Sequence, residues 1–190
     1  MNAPTDEQVS ALVRAIHATS HRCCLVFSGV GAQAIAWLFA EAGTSRTVLD
    51  AQVPYSRAAL DEYVGAQAEQ HVSAEEALKM ADAALRRAKK LAALSGLDPV
   101  TPLIGVGCTA AIATDRLRRG DDRVHVAWSG GGGARRAYSL TFIKGAPARD
   151  RKVEERLGSL IILNALAEAS GLPGRLPLDL LPGEAVTESQ

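Results

Sequence analysis

The stretch AGTSRTVLDAQVPYSRAAL, Ala42 to Leu60, ends one helix, crosses a strand and opens the next helix. Thr47 to Val53 reads as the strand. Pro54 favours extended backbone before it and a turn after it. Ser56 then caps a short helix that runs to Val64 and stops at Gly65. Hydroxyls at Thr44, Ser45, Thr47, Tyr55 and Ser56 alternate here with the guanidinium groups of Arg46 and Arg57. Such groups at strand ends beside helix N-termini suit a phosphate or a polarised carbonyl.

Upstream, Thr5 and Gln8 form a capping box for a helix over Asp6 to Thr19, with Val9, Leu12, Val13 and Ile16 on one face. His17 and His21 lie near its end, just before Cys23 and Cys24. Two readings stand: a metal site, or a helix end with favourable cations followed by a strand with alternate faces. CCLVFS is short and apolar and reads as a buried strand. It leads through Ser28-Gly29-Val30-Gly31 into a helix that Gly43 is expected to stop. A glycine turn entering a helix offers N–H groups to an anion, with Ser28 and Gly31 as contacts. The spacing is neither the full dinucleotide fingerprint nor a P-loop, and short βα loops use glycine for purely steric reasons.

Downstream, Ser73 and Glu76 are expected to form a second capping box. The helix that follows keeps apolar spacing from Leu78 to Ala92 and ends at Gly96, its basic run Arg86, Arg87, Lys89, Lys90 forming a solvated face. Pro102 to Gly107 reads as a buried strand running into the small-residue turn GVGCTAAIATD. Gly107 and Thr109 there allow either close backbone approach to a ligand or dense packing against a helix. Cys108 reads as a buried thiol or as a nucleophile. Arg123 to Ser129 and Arg135 to Lys144 form a hairpin with a glycine tip, Gly130 to Gly133. A last apolar helix follows Arg149-Asp150-Arg151 and reaches Ser170.

This order predicts an α/β protein: a three-layer α/β/α sandwich around a mixed, mostly parallel sheet. One domain is expected over 1–171, with a Pro-rich C-terminal tail over 172–190. The 190 residues carry no net charge, so no global field recruits nucleic acid or a membrane surface. The start lacks the basic and apolar regions of a signal peptide, and no apolar run reaches the length of a span. Three cysteines, two of them adjacent, argue against a disulfide framework, and a reducing cytoplasm is the expected compartment.

The runs VPYSRAALDEYVG and HVSAEEALKMADAALRRA, the turn GVGCTAA, and the hairpin with its final helix resemble the CinA carboxy-terminal domain, over about Glu7 to Gly171. This competence/damage-inducible family includes nicotinamide mononucleotide amidohydrolases. The resemblance implies Ser45 as nucleophile, Tyr55 as a catalytic residue that positions the substrate, its neighbour Ser56 as a substrate contact, and Arg151 as phosphate partner. It implies no metal and no cofactor, a nucleotide-like small-molecule ligand and a homo-oligomer. The family's base, a lysine, falls on Leu60, which cannot accept a proton. The family's Glu-Ser-Cys-Thr-Gly-Gly turn is Phe27-Ser28-Gly29-Val30-Gly31-Ala32, without the carboxylate. Two functions are therefore expected in competition. One is a nucleotide-binding domain with weak or lost deamidase activity. The other is an amidohydrolase that uses Ser45, turn N–H groups near Thr109 and a substitute base drawn from His71, His125, Lys144 and Lys152.

Overall fold

The computed structural model describes residues 3–115, 119–145 and 149–189. Its helices are α1 (Asp6–His17), α2 (Ala32–Ala40), α3 (Arg57–Val64), α4 (Ala74–Leu94) and α5 (Arg151–Ala169). Its strands are β1 (Arg22–Ser28), β2 (Val48–Gln52), β3 (Leu103–Ala111), β4 (Arg123–Ser129), β5 (Arg135–Thr141) and β6 (Thr187–Ser189). They form one open sheet in the order β2-β1-β3-β4-β5-β6. No described helix is long and apolar enough to cross a membrane.

The caps explain where several helices start. Thr5 and Gln8 make the reciprocal box on α1, Ser56 accepts from the Ala59 amide, and Asp150 accepts from the Val153 amide at 2.8 Å. On α4 only half of the expected box forms. Ser73 accepts from the Glu76 amide, but the Glu76 side chain turns inward. There burial raises its carboxyl pKa and leaves Oε1 without a hydrogen-bond partner. The stop at Gly43 also differs from expectation: α2 ends at Ala40. Gly43 has φ 117° and opens a 3₁₀ turn over Thr44–Arg46. A Cβ there would lie 2.8 Å from the His17 Cβ, so glycine is required by a neighbour distant in sequence.

Strand alternation divides the core. Cys23, Leu25 and Phe27 face α1, α2 and α5, while Cys24 and Val26 face α3 and α4. The sandwich therefore has three layers, as its sequence predicts. The expected balance of the sheet needs correction. β1 pairs parallel with β2 and β3, but the β3–β4, β4–β5 and β5–β6 pairings are antiparallel. The hairpin strand β4 returns beside β3, and the C-terminal segment adds β6.

That segment is held by a buried ion pair. Arg149 Nε donates to Glu184 Oε1 at 2.9 Å, and Nη2 reaches Oε2, with side-chain exposures of 3% and 0%. Glu184 also accepts from the amides of Ile143 and Leu181. Burial works to raise its pKa, but Arg149 and those amides outweigh it and hold the carboxyl at about 2.

Candidate ligand-binding site

The parallel strands β1, β2 and β3 deliver their C-terminal ends to one edge of the sheet, where open α/β sheets offer a crevice. A cleft of about 540 Å³ lies there, walled by Phe27, Val30, Ile35 and Val53, with Tyr55, Arg151 and Glu155 at its rim. A smaller recess of about 200 Å³ shares Gly29, Tyr55 and Arg151 and extends to Ile112 and Thr114. Together they have the size and mixed lining of a small-molecule site.

Local structure places each group. Gly31 caps α2 with φ 118°, and a Cβ there would lie 2.7 Å from the Phe27 ring. Because glycine has no side chain to accept from the first turn, the acceptor comes from elsewhere. Glu155 Oε1 takes hydrogen bonds from the amides of Gly31 and Gln33 at 3.2 and 3.1 Å. The anion site expected at Gly31 is therefore filled by the protein's own carboxylate. Ser159 donates to the same oxygen, while Glu155 Oε2 is buried without a partner. Arg151 opens α5, donates to the Ala113 carbonyl at 3.0 Å and stays exposed. Tyr55 is 67% exposed on the opposite wall.

The structure brings Tyr55 and Arg151 together at the cleft, where the Gly31 amide is bonded to Glu155, and gives the remaining expected contacts other surroundings. Ser45 lies before β2, where Arg22 donates to its carbonyl, at the opposite edge of the sheet. The five residues of β2 separate it from Tyr55, roughly 16 Å at strand rise. Ser56 is spent on capping α3. Ser28 follows Cys24 and Val26 onto the α3/α4 face. Gly107 is inside β3, where a Cβ would lie 2.5 Å from both the Ala77 carbonyl oxygen and the Ala81 nitrogen. The packing reading of this glycine holds. Thr109 is buried in the same strand and donates to the His71 carbonyl. It belongs to β3 rather than to an oxyanion turn.

Leu60 is 2% exposed and packs with Cys24, Val26, Met80 and Ala84. Burying such a side chain contributes roughly 1.5–3 kcal/mol, so this position serves the core. The four candidate bases lie toward the cleft edge, away from Ser45. His71 Nε2 faces Asp61 at 2.8 Å, and Lys144 donates to the Gly120 carbonyl. Lys152 is exposed in the first turn of α5. His125 pairs with Thr109 across the strands, and burial, helped by Arg123, lowers its pKa to about 4.

The metal reading of His17 and His21 fails on geometry. His17 is buried with Nε2 2.9 Å from the Leu38 carbonyl and Nδ1 2.9 Å from the Thr47 hydroxyl. Since a carbonyl only accepts, Nε2 carries the proton and Nδ1 accepts from Thr47. Among the described residues no group of three or more His, Cys, Asp or Glu is arranged to hold a metal. Cys108 is fully buried and burial pushes its thiol pKa far up, which suits a packing role.

Glu155 was missed in the sequence because its partner amides lie more than a hundred positions away. The available signal was the turn itself: a helix start without Ser, Thr, Asp or Asn needs an outside acceptor.

No family model and no curated protein matches the chain. Solved structures do. The competence/damage-inducible protein CihA of Agrobacterium tumefaciens is similar at TM-score 0.62 and 19% identity, over 89% of this chain and 98% of that one. A competence-damaged protein (CinA) superfamily protein of Escherichia coli gives 0.63 and 20%, over 88% and 93%. The competence damage-inducible protein A (ComA) of Klebsiella pneumoniae gives 0.55 and 22%, over 87% and 96%. Over nearly nine tenths of its length, the chain has the fold of these solved structures.

Proposed function

We propose that the protein is a CinA-like domain that binds a nicotinamide nucleotide or a similar nucleotide-like molecule, with deamidase activity weak or lost. The observation that carries this reading is the pairing of Arg151 and Glu155, one turn apart on α5 and lining one cleft. Arg151 supplies guanidinium donors to a phosphate. Glu155 sets a carboxylate beside the apolar wall of Phe27, Val30 and Ile35, where a cationic pyridinium ring is favoured. Tyr55 offers a face for stacking. A nicotinamide mononucleotide carries both complementary charges, a positive ring and a negative phosphate.

The weak-activity part rests on Leu60 and Ser45. The first is a core residue, and the second is at the far end of β2 from the cleft. The alternative is a functional amidohydrolase that uses Ser45 with a substitute base. It requires a base near Ser45, and the ring nitrogens and amines considered for that role are all at the other edge.

Calorimetric titration of nicotinamide mononucleotide and of its riboside tests the binding reading. The wild type is expected to prefer the mononucleotide, and Arg151→Ala to lose about tenfold for it while leaving the riboside unchanged. Failure of the wild type to bind either compound at millimolar concentration sinks the proposal. Ammonia release by the wild type that disappears in Ser45→Ala would establish the hydrolase alternative.

A further inference from the structure

A second cavity, of about 210 Å³, lies between α5, β5 and the C-terminal segment. Its walls are apolar: Ile161 and Ala165 from α5, and Leu176, Leu178 and Val186 from the segment. Arg151 and Ala165 stand on the same helix, roughly 21 Å apart at helical rise, so this cavity is no branch of the cleft. Protein interiors leave few voids larger than a water molecule, and an apolar void of about 150 Å³ already holds benzene.

Unmet polar groups accompany this void. Tyr138 lines it and is 5% exposed, yet its Oη has no hydrogen-bond partner. Trp128 follows Val126, the cross-strand partner of Tyr138, onto the same face of the sheet. Its Nε1 is buried and unpartnered too. Burial first, then Glu168, raises the Tyr138 hydroxyl pKa to about 12, and the neighbouring Trp128 indole acts in the opposite sense. Two buried donors side by side without an acceptor are costly and call for one.

The other polar groups are already engaged. Asn164 Nδ2 donates to the Leu176 carbonyl at 3.0 Å, and its Oδ1 accepts from the Leu176 amide at 2.7 Å. At the mouth, Arg175 lies over the Tyr138 ring, 5.8 Å from its centroid. Arg175 and Arg136 each pair with both Glu168 and Glu188, so the four charges cancel. Arg175 and Glu188 are half-exposed, which places the opening between them.

We propose that this cavity is a second small-molecule site, for a neutral one-ring compound that carries a carbonyl oxygen. The ring occupies the apolar chamber, and the oxygen accepts from Tyr138 Oη–H and Trp128 Nε1–H. An indole N–H only donates, so the ligand has to bring the acceptor. A charged group is disfavoured, because it would be buried while the charges at the mouth are committed to one another. Leu176, Leu178 and Val186 are part of the wall, so occupancy also fixes the C-terminal segment against α5. None of this depends on what the Arg151 cleft holds.

Nuclear magnetic resonance titration of the full chain tests the proposal with acetophenone, with ethylbenzene, which lacks the oxygen, and with benzoate. The chain has two tryptophans, so a Trp37→Phe sample identifies the Trp128 indole N–H signal. Acetophenone is expected to shift that signal with a dissociation constant below about 1 mM. Ethylbenzene is expected to bind at least ~5-fold more weakly, and benzoate at least ~10-fold. Tyr138→Phe, with circular dichroism as the check on folding, is expected to weaken acetophenone ~5-fold and to leave ethylbenzene within about twofold. A Trp128 signal that acetophenone leaves unmoved at about 10 mM overturns the proposal. So does ethylbenzene or benzoate that binds as tightly as acetophenone, or a Tyr138→Phe variant that weakens acetophenone and ethylbenzene equally.

Discussion

Gly107→Ala separates the two readings that the sequence leaves open at this position: ligand approach or helix packing. An added Cβ would lie 2.5 Å from the Ala77 oxygen and 2.5 Å from the Ala81 nitrogen, closer than Cβ atoms come to anything. Both are backbone atoms of α4, so no side chain can swing aside. Overpacking of a core costs typically ~1–3 kcal/mol, and immovable neighbours put this site at the upper end. Gly107 has no positive φ, so alanine also restricts the unfolded chain and returns ~0.4–1 kcal/mol. The net expectation is a loss of about 2 kcal/mol, or roughly 4–8 °C in melting temperature for a chain of this size.

The assay is urea unfolding of Gly107→Ala against Gly120→Ala, where a Cβ meets nothing within 4 Å. The control is expected within about 1 kcal/mol of wild type. Affinity of folded Gly107→Ala for nicotinamide mononucleotide is expected unchanged, because the contact faces α4 and not the cleft. If Gly107→Ala unfolds with the control but loses ligand affinity, α4 does not ride on β3 at this distance and the glycine serves the ligand.

Glu155→Ala removes the acceptor for the Gly31 and Gln33 amides and is expected to cost about 1 kcal/mol in urea unfolding, the value of a helix cap. Glu184→Gln leaves the Arg149 guanidinium buried without its counter-charge and is expected to cost ~3 kcal/mol near neutral pH. The folded pKa of Glu184, about 2, is depressed, so its contribution is present above the unfolded value and lost as pH falls through the folded one. The gap between wild type and Glu184→Gln should therefore narrow on acidification below about pH 4, as unfolding curves in that range will show. Cys23, Cys24 and Cys108 are free and buried, and burial, ahead of the nearby Asp50 charge, raises Cys24 to about 12. A thiol reagent at about pH 8 should label none of them in the folded protein and all of them in urea.

Local signals were legible because local chemistry causes them. The caps at Thr5 and Ser56 satisfy amides three residues away, so the sequence holds both partners. The strand CCLVFS was legible as buried, and its alternate faces follow from period two. What escaped depends on residues far apart in sequence. Gly43 answers to His17, β6 is held down through Arg149 and Glu184, and α2 is capped by Glu155. The three-residue β6 carries no apolar alternation of its own, so only its position beside β5 identifies it as a strand. The cleft is half legible: Tyr55 and Arg151 come from motif resemblance, while no local signal distinguishes Val30, Ile35 and Val53 as cleft residues.

Sequence proximity misleads most at the stretch from Ser45 to Leu60. Its three key positions go to three different surroundings because β2 lies between the first two and a helical turn follows. Ser45 stays at the start of the strand, Tyr55 emerges at its end into the cleft, and Leu60 turns inward onto Cys24, Val26 and Met80. A lysine at position 60 would have to bury its ammonium among apolar side chains, which costs several kcal/mol without a partner. Its amine would also remain a strand length from Ser45. On the proposed reading, Leu60→Lys alone is therefore expected to give no ammonia release from nicotinamide mononucleotide, and release that appears in this variant would refute it. At the cleft edge, Arg151 and Glu155 are fixed by α5, and Tyr55 follows β2. On the proposed reading, binding and hydrolysis separate in this chain because they depend on opposite ends of the same strand.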